Sequence, residues 1–323
     1  MIEVTAAIVE QKGKVLAARR KPGNSLAGLW ELPGGKVEAG ETHPVCLRRE
    51  LIEELSIRCD IGQHVFTNEH CYGDKQVRLH AYAARITEGE PRLHDHDRLC
   101  WLEPDQLMEL NWAPADIPII EHYLSLCRQR SCLDYYQLNA KNYALETQGA
   151  LMTELYALFE AELPSGARIL DLGCGSGRDS RFFKNKGYRV MAVDACEAMT
   201  EQASEYIGCP VTRLMAQELN VKQCYEGIWC SASLLHCRQQ ELASVFHRIA
   251  RALVPGGICF ASFKLGDGER VDERGRFFCD QNTESLTNIL VEEKELQIIR
   301  LWEEQTPLRG ELQGWCSVLV TRV

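Results

Sequence analysis

No C-x-x-C pair occurs among the fifteen cysteines of this 323-residue chain, so the spacing that structural zinc sites use is missing. The cysteines are odd in number and scattered, and "MIEVTAAIVEQ" reads as a strand and not as a targeting segment. A small disulfide-stapled secreted scaffold is thereby excluded, and reduced, mostly buried thiols in a cytoplasm are expected. No apolar run approaches about 20 residues, so no membrane span is expected. Basic charge is also short: 36 Lys and Arg stand against 46 Asp and Glu, a net charge of -10. That balance disfavours a generic grip on nucleic-acid backbone, which needs clustered cations, and leaves only a local basic pocket open. Internal repeats and low-complexity tracts are absent.

What remains is a globular composition, 45% hydrophobic and 25% charged, in a chain long enough for two domains. Two rhythms divide it. Up to about residue 130, a hairpin around Lys12-Gly13-Lys14 leads through a glycine loop into one strong helix ending at Leu55. Further strands ("QVRLHAYAARI", "RLCWLEP") follow, then an amphipathic helix, "DIPIIEHYLSLCRQR". This mixture predicts an α+β sandwich over 1–130. Over 131–323 strands and helices alternate, from "ARILDLGC" to "GGICFASF", which predicts a doubly wound, Rossmann-like α/β sheet. The seam is expected in "RQRSCLDYYQ".

The first candidate site is "GGKVEAGETHPVCLRRELIEEL", Gly34 to Leu55. Helical spacing projects Glu50, Glu53 and Glu54 together, while Leu47, Leu51 and Leu55 form an apolar stripe. Like charges so close repel, and a hard divalent cation with oxygen ligands turns that repulsion into binding. Arg49 can hold one carboxylate by charge-assisted hydrogen bonds. Gly35 allows a sharp turn, and its carbonyl is a further candidate ligand.

Gly35, Glu41, Arg49-Glu50-Leu51, Glu53-Glu54 and Ile57 follow the Nudix box, G-x5-E-x7-R-E-U-x-E-E-x-G-U. One position departs from it: Ser56 replaces a glycine that ends the helix, often at positive φ, at a cost of about 1 kcal/mol. Residues 1 to 128 resemble the MutT branch of the Nudix hydrolases, notably bacterial CTP pyrophosphohydrolases. "AARRKPGNSLAGLWELPGGKVEAGE", which includes Arg20, resembles the loop and box of that branch, and "APADIPIIEHYLSL" resembles its last helix. The resemblance implies that Glu50, Glu53, Glu54 and Asp95 hold Mg²⁺ or Mn²⁺. It also implies that Leu32 and Asp116 meet the base, with Arg20 a further substrate contact. A nucleoside triphosphate would be cut to monophosphate and pyrophosphate. The base is one of Glu53, Glu54 and Asp95, and the sequence does not choose. His94 and His96 are expected as solvated loop residues.

The second candidate site is "ILDLGCGSGRD", a glycine loop after an apolar strand, with Gly173, Gly175 and Gly177 in G-x-G-x-G. Asp171 ends that strand. Asp194 ends the next, where an acid can accept both ribose hydroxyls. The loop resembles the first motif of class I S-adenosylmethionine methyltransferases, and the likeness runs over about 133 to 323. It implies a cofactor site that includes Asp171, Gly173, Gly175 and Gly177, with Gly173 and Gly175 meeting the cofactor; Asp194 holds the ribose, Ala216 and Gln217 lie near adenine, and Cys230 and Ser231 reach the cleft. His236, in "SASLLHC", is a candidate base or pocket wall. Lys264, Arg276 and Arg309 are candidate contacts to an anionic acceptor. Trp302 and Trp315 read as core or sheet-edge packing.

These readings combine into a bifunctional enzyme, a nucleotide pyrophosphohydrolase joined to a methyltransferase of a small acceptor. One alternative is a methyltransferase governed by a nucleotide-sensing first half without turnover, against which the intact glutamates argue. Another is a nucleic-acid methyltransferase, against which the acidic balance argues.

Overall fold

The computed structural model describes residues 1–323 except Asn24, Leu151, Arg309 and Gly310, and the side chains of Pro307, Leu308 and Glu311 are also outside the described set. The chain forms two compact units, Met1–Cys127 and Arg128–Val323. The change of unit falls inside one helix, α2 (Ile117–Thr147). "RQRSCLDYYQ" is therefore helical and not a linker.

The first unit contains β1 (Ile2–Gln11), β2 (Lys14–Arg20), β3 (Trp30–Glu31), α1 (His43–Leu55), β4 (Arg58–Tyr72), β5 (Lys75–Glu88) and β6 (His96–Leu102). The hairpin turn places Lys12 at φ 51 and Gly13 at φ 79, the twist that a two-residue loop between antiparallel strands needs. The sheet runs β3-β2-β1-β5-β4, with β6 on β2. β1 pairs antiparallel with β2 and parallel with β5. Alternation along β1 builds both layers. Ala7 and Val9 pack with Leu47, Leu51 and Leu55 of α1, whereas Ala6 and Ile8 pack with Ile119, Ile120 and Tyr123 of α2. Each helix offers one apolar stripe, so the unit is a helix–sheet–helix sandwich.

The second unit opens with α3 (Thr153–Glu160), β7 (Arg168–Leu172), α4 (Arg178–Asn185), β8 (Arg189–Asp194), α5 (Glu197–Ile207), β9 (Thr212–Arg213) and β10 (Tyr225–Cys230). It continues with α6 (Gln239–Ala252), β11 (Leu253–Lys264), β12 (Gly268–Val271), β13 (Phe277–Asp280), α7 (Thr283–Val291), β14 (Leu296–Leu308) and β15 (Glu311–Arg322). The sheet order is β14-β15-β11-β10-β7-β8-β9. Five strands are parallel, while β15 is antiparallel to both β11 and β14. Strand order reverses between β7 and β10, and the carboxyl ends at that point form the crevice where open α/β sheets take ligands. The doubly wound sheet expected from the alternation is present, extended at one edge by the antiparallel strands β15 and β14, and a small hairpin, β12–β13, follows β11.

All fifteen cysteines are free thiols. Among the described residues, no helix is long and apolar enough to cross a membrane.

Candidate active sites

In the first unit, Arg49 organises the acids. Its Nε and Nη2 donate to the two oxygens of Glu41 at 2.8 and 2.9 Å. Its Nη1 donates to Glu50 at 2.8 Å and to Glu53 at 3.2 Å. These charge-assisted bonds hold the Glu41 carboxyl down at about 2. Gly35 makes room for Glu50: a Cβ there would stand 2.2 Å from the Glu50 carboxyl carbon. The Gly35 carbonyl accepts from the Thr5 amide at 2.8 Å and from its hydroxyl at 3.3 Å, so space for a carboxylate is what this glycine chiefly provides.

Glu54 differs from its neighbours. It accepts one bond, from the Gly34 amide at 3.3 Å. Burial, with Glu31 and Glu50 close by, pushes its carboxyl up to about 7 against the opposing pull of His96. Glu53, by contrast, is more than half exposed and tied to Arg49. Asp95 lies exposed on the bend before β6. A carboxylate desolvated between two others is short of positive charge, which fits a hard divalent ion held by Glu50 and Glu54.

The two histidines beside Asp95 are not equivalent, which corrects the expectation of two solvated loop residues. His94 is exposed and its Nε2 lies 2.7 Å from the Ser56 hydroxyl. His96 is buried, its Nε2 2.9 Å from Glu31 Oε1. Arg20 Nη1 donates to the other Glu31 oxygen at 2.5 Å. Arg20, Glu31 and His96 thus form a connected chain of charged groups beside Glu54. Leu32 is buried, and its amide donates to Asp116 Oδ1 at 3.0 Å. Burial pushes the Asp116 carboxyl up to about 7. Sequence reasoning missed Glu31 and His96. Their pairing spans 65 positions, and the only local signal was an acid two residues ahead of Pro33.

Ser56 adopts the left-handed conformation of the missing box glycine, φ 56 and ψ 31. Its amide closes the helix on Ile52, and its hydroxyl bond to His94 offsets part of the strain. Neither Gly nor Ala carries that hydroxyl, but only Ala keeps the strain. Ser56→Gly is therefore expected to be more stable than Ser56→Ala by about 1 kcal/mol, read from urea midpoints.

In the second unit, a cavity of about 890 Å³ opens at the carboxyl ends of β7, β8, β10 and β11, near the upper end of the roughly 300–1,000 Å³ range of small-molecule sites. Gly173, Gly175, Asp194, Ala216 and Gln217 line it. Gly173 has φ 83, and a Cβ there would stand 2.3 Å from Ser233 Cβ. Asp194 Oδ2 accepts from the Gly175 amide at 2.9 Å and Oδ1 from the Cys196 amide at 2.9 Å, fixing loop and acid together. Gln217 Nε2 is held 3.0 Å from Glu241.

Three expected contacts lie behind the cavity wall. Asp171 is buried, accepts from Ser180 Oγ at 2.6 Å, and has its carboxyl pushed well up by burial and by nearby Asp179. Gly177 caps α4 at φ 80, where a Cβ would stand 2.8 Å from Ile207. Cys230 is wholly buried in the core, and the next residue, Ser231, faces the cavity instead. All three support the loop or the sheet instead of lining the site.

On the acceptor side, His236 Nδ1 lies 2.6 Å from the Phe277 carbonyl, which can only accept, so Nδ1 carries the proton. Nε2 then accepts from the Tyr136 hydroxyl at 3.0 Å. Burial lowers His236 to about 4, so the ring is neutral. Arg276 donates to Asp272 at 2.7 Å and also reaches the Tyr136 hydroxyl. The Phe278 ring gathers Lys264 Nζ at 4.4 Å and Arg276 Cζ at 5.1 Å from its centre, and all of these residues line the cavity. Trp315 lines it as well, correcting its reading as packing alone, whereas Trp302 packs beside the aromatic core. Arg309 lies outside the described residues.

Comparison with known proteins agrees with this geometry. A family model for the NUDIX domain matches residues 4–122, and one for a methyltransferase domain matches residues 169–257. The CTP pyrophosphohydrolase of Escherichia coli is 40% identical over 126 residues, covering 39% of this chain and 93% of that protein. The 8-oxo-dGTP diphosphatase of Haemophilus influenzae is 30% identical over the same shares of both chains, 39% and 93%. For the second unit, the Burkholderia thailandensis 1,6-didemethyltoxoflavin-N1-methyltransferase, solved with S-adenosylhomocysteine, shares the fold. Its TM-score is 0.50 at 20% identity, covering 63% of this chain and 89% of that one. The chain belongs to the Nudix family through its first unit, and its second unit has a methyltransferase fold in which residues 169–257 match the methyltransferase-domain model.

Proposed function

We propose that the chain is a bifunctional enzyme. The first unit, in this reading, converts a nucleoside triphosphate into its monophosphate and pyrophosphate, and the second methylates a small anionic acceptor. The desolvated carboxyl of Glu54, beside Glu50 and Glu31, carries the first assignment. Bound Mg²⁺ or Mn²⁺ supplies charge neutralisation for the phosphates and a lowered pKa for water. Glu50 and Glu54 hold the ion, with Glu53 at the open edge. Arg49 fixes Glu50 and Glu41 so that little reorganisation is needed. Of the three candidate bases, Glu53 is favoured: Glu54 is taken up by the ion, while Glu53 stands at the open edge, more than half exposed, where it can meet the attacking water. Asp116, set beside the Leu32 amide, reads the base edge.

In the second unit, S-adenosylmethionine supplies the methyl group. Gly173 and Gly175 let the backbone approach it, Asp194 takes the ribose, and Ala216 and Gln217 flank the adenine. Lys264 and Arg276 bind the anionic end of the acceptor. His236 orients Tyr136, whose hydroxyl faces the acceptor. Free thiols throughout suit a reducing, cytoplasmic setting.

Incubating the chain with Mg²⁺ and a panel of ordinary and oxidised nucleotides, with and without S-adenosylmethionine, tests both halves by mass spectrometry. Monophosphate and pyrophosphate are expected from at least one cytidine or oxidised-purine triphosphate. No turnover of any of them would leave a sensing module instead. Methylation of the monophosphate would join the two activities in one route.

A further inference from the structure

One set of metal-capable side chains in the first unit has no part in the proposed hydrolysis. Glu3 on β1, His80 on β5 and His43 in the first turn of α1 each offer a ligand atom, all within 4.8 Å of one another. His80 Nε2 lies 2.7 Å from Glu3 Oε2, and its Nδ1 lies 2.9 Å from Thr67 Oγ1. His43 Nδ1 lies 2.9 Å from the Tyr82 hydroxyl, which leaves Nε2 as its ligand atom. The two imidazoles stack with centres 4.1 Å apart. Arg78 holds the other Glu3 oxygen at 3.3 Å.

We propose that Glu3, His43 and His80 form a second metal site, for a first-row transition ion such as Zn²⁺. Its chemistry differs from that of the carboxylate site. Two imidazoles and one carboxylate suit Zn²⁺, Co²⁺ or Ni²⁺, whereas Mg²⁺ prefers oxygen alone. The outer nitrogen of each ring already meets a hydroxyl, the arrangement that fixes tautomer and orientation in metal-binding histidines. Tetrahedral zinc with bonds of about 2.0–2.1 Å needs ligand atoms roughly 3.3 Å apart, so side-chain torsions would open the 2.7 Å His80–Glu3 pair while bringing the three atoms, now within 4.8 Å of one another, round one ion. Three protein ligands would leave the fourth position of such an ion open. The ion would tie β1 and β5 to the start of the helix that carries Glu50, Glu53 and Glu54.

The test titrates the full chain with Zn²⁺ by calorimetry, and with Co²⁺ by visible spectroscopy, in excess Mg²⁺. One site is expected to persist. His43→Gln and His80→Gln should each weaken Zn²⁺ binding by about 10–100-fold or more, while Glu53→Gln should leave it unchanged. Circular dichroism checks that each variant folds. Anomalous scattering at the zinc edge, on wild-type crystals, locates the ion without any substitution. An ion found on thiols or on Glu50 and Glu54, or an affinity that neither histidine variant changes, overturns the proposal.

Discussion

Glu54→Gln is expected to lower pyrophosphate release by roughly 10²–10³-fold, because it loosens an ion whose charge stabilisation is worth several kcal/mol, with a smaller change in nucleotide KM. The same substitution should do something that loss of a surface charge would not. Glutamine matches the protonated acid in shape and removes its titration. A carboxyl whose folded pKa is about 7 against an ordinary 4.5 keeps its proton in the folded state after the unfolded chain has lost it. Its contribution to stability is therefore full at pH 4 and declines as pH rises from about 4.5 to 7. The decline is on the order of 3 kcal/mol for this shift. In chelator, wild type and Glu54→Gln should unfold together at pH 4, and the variant should be the more stable at pH 8. Added Mg²⁺ should stabilise the wild type far more than the variant. Thermal midpoints over that range, with and without metal, decide it. A wild type that outlasts the variant at pH 8 in chelator would show that Glu54 is not a desolvated acid awaiting a cation.

Gly173→Ala should all but abolish cofactor binding. The new Cβ would stand 2.3 Å from Ser233 Cβ, and φ is 83. Ser233 cannot simply turn aside, since its hydroxyl donates to the Leu172 carbonyl at 2.6 Å. Backbone strain of about 1–3 kcal/mol, added to that clash, corresponds to a loss of roughly 100-fold in affinity for S-adenosylmethionine. Gly187→Ala is the control. Its φ of 93 imposes the same strain, yet its Cβ meets open space and it does not line the cavity. Calorimetry should find cofactor affinity lost in the first variant and kept in the second. Equal affinity in both would detach this loop from the cofactor.

The parts most readable from sequence are those carried by a single element. Glu50, Glu53 and Glu54 share one helix, so their spacing alone brings them together. The glycine loop reads equally well, because strand, turn and helix are contiguous. His96 was misjudged for the opposite reason. Its burial depends on Glu31, which only the pairing of β2 with both β3 and β6 brings near. Of the pair expected at the cleft, Ser231 stands just past the end of β10 and lines the cavity, whereas Cys230, the last strand residue, is held in the core by the sheet and helix around it, which no local pattern shows. The β12–β13 hairpin lies in a charged stretch, "GDGERVDERGRFF", whose polarity hides its pairing.

One strand, β1, separates the two chemistries of the first unit. Its odd-numbered core residues, Ala7 and Val9, bear on the helix with the acids, and its even-numbered ones, Ala6 and Ile8, on the helix that begins beside Asp116. On the function proposed above, a larger side chain at Ala7 would press on the hydrolytic machinery, and one at Ala6 on base recognition. Turnover and nucleotide preference thus become separately tunable through adjacent codons, neither of which specifies a residue that touches the substrate.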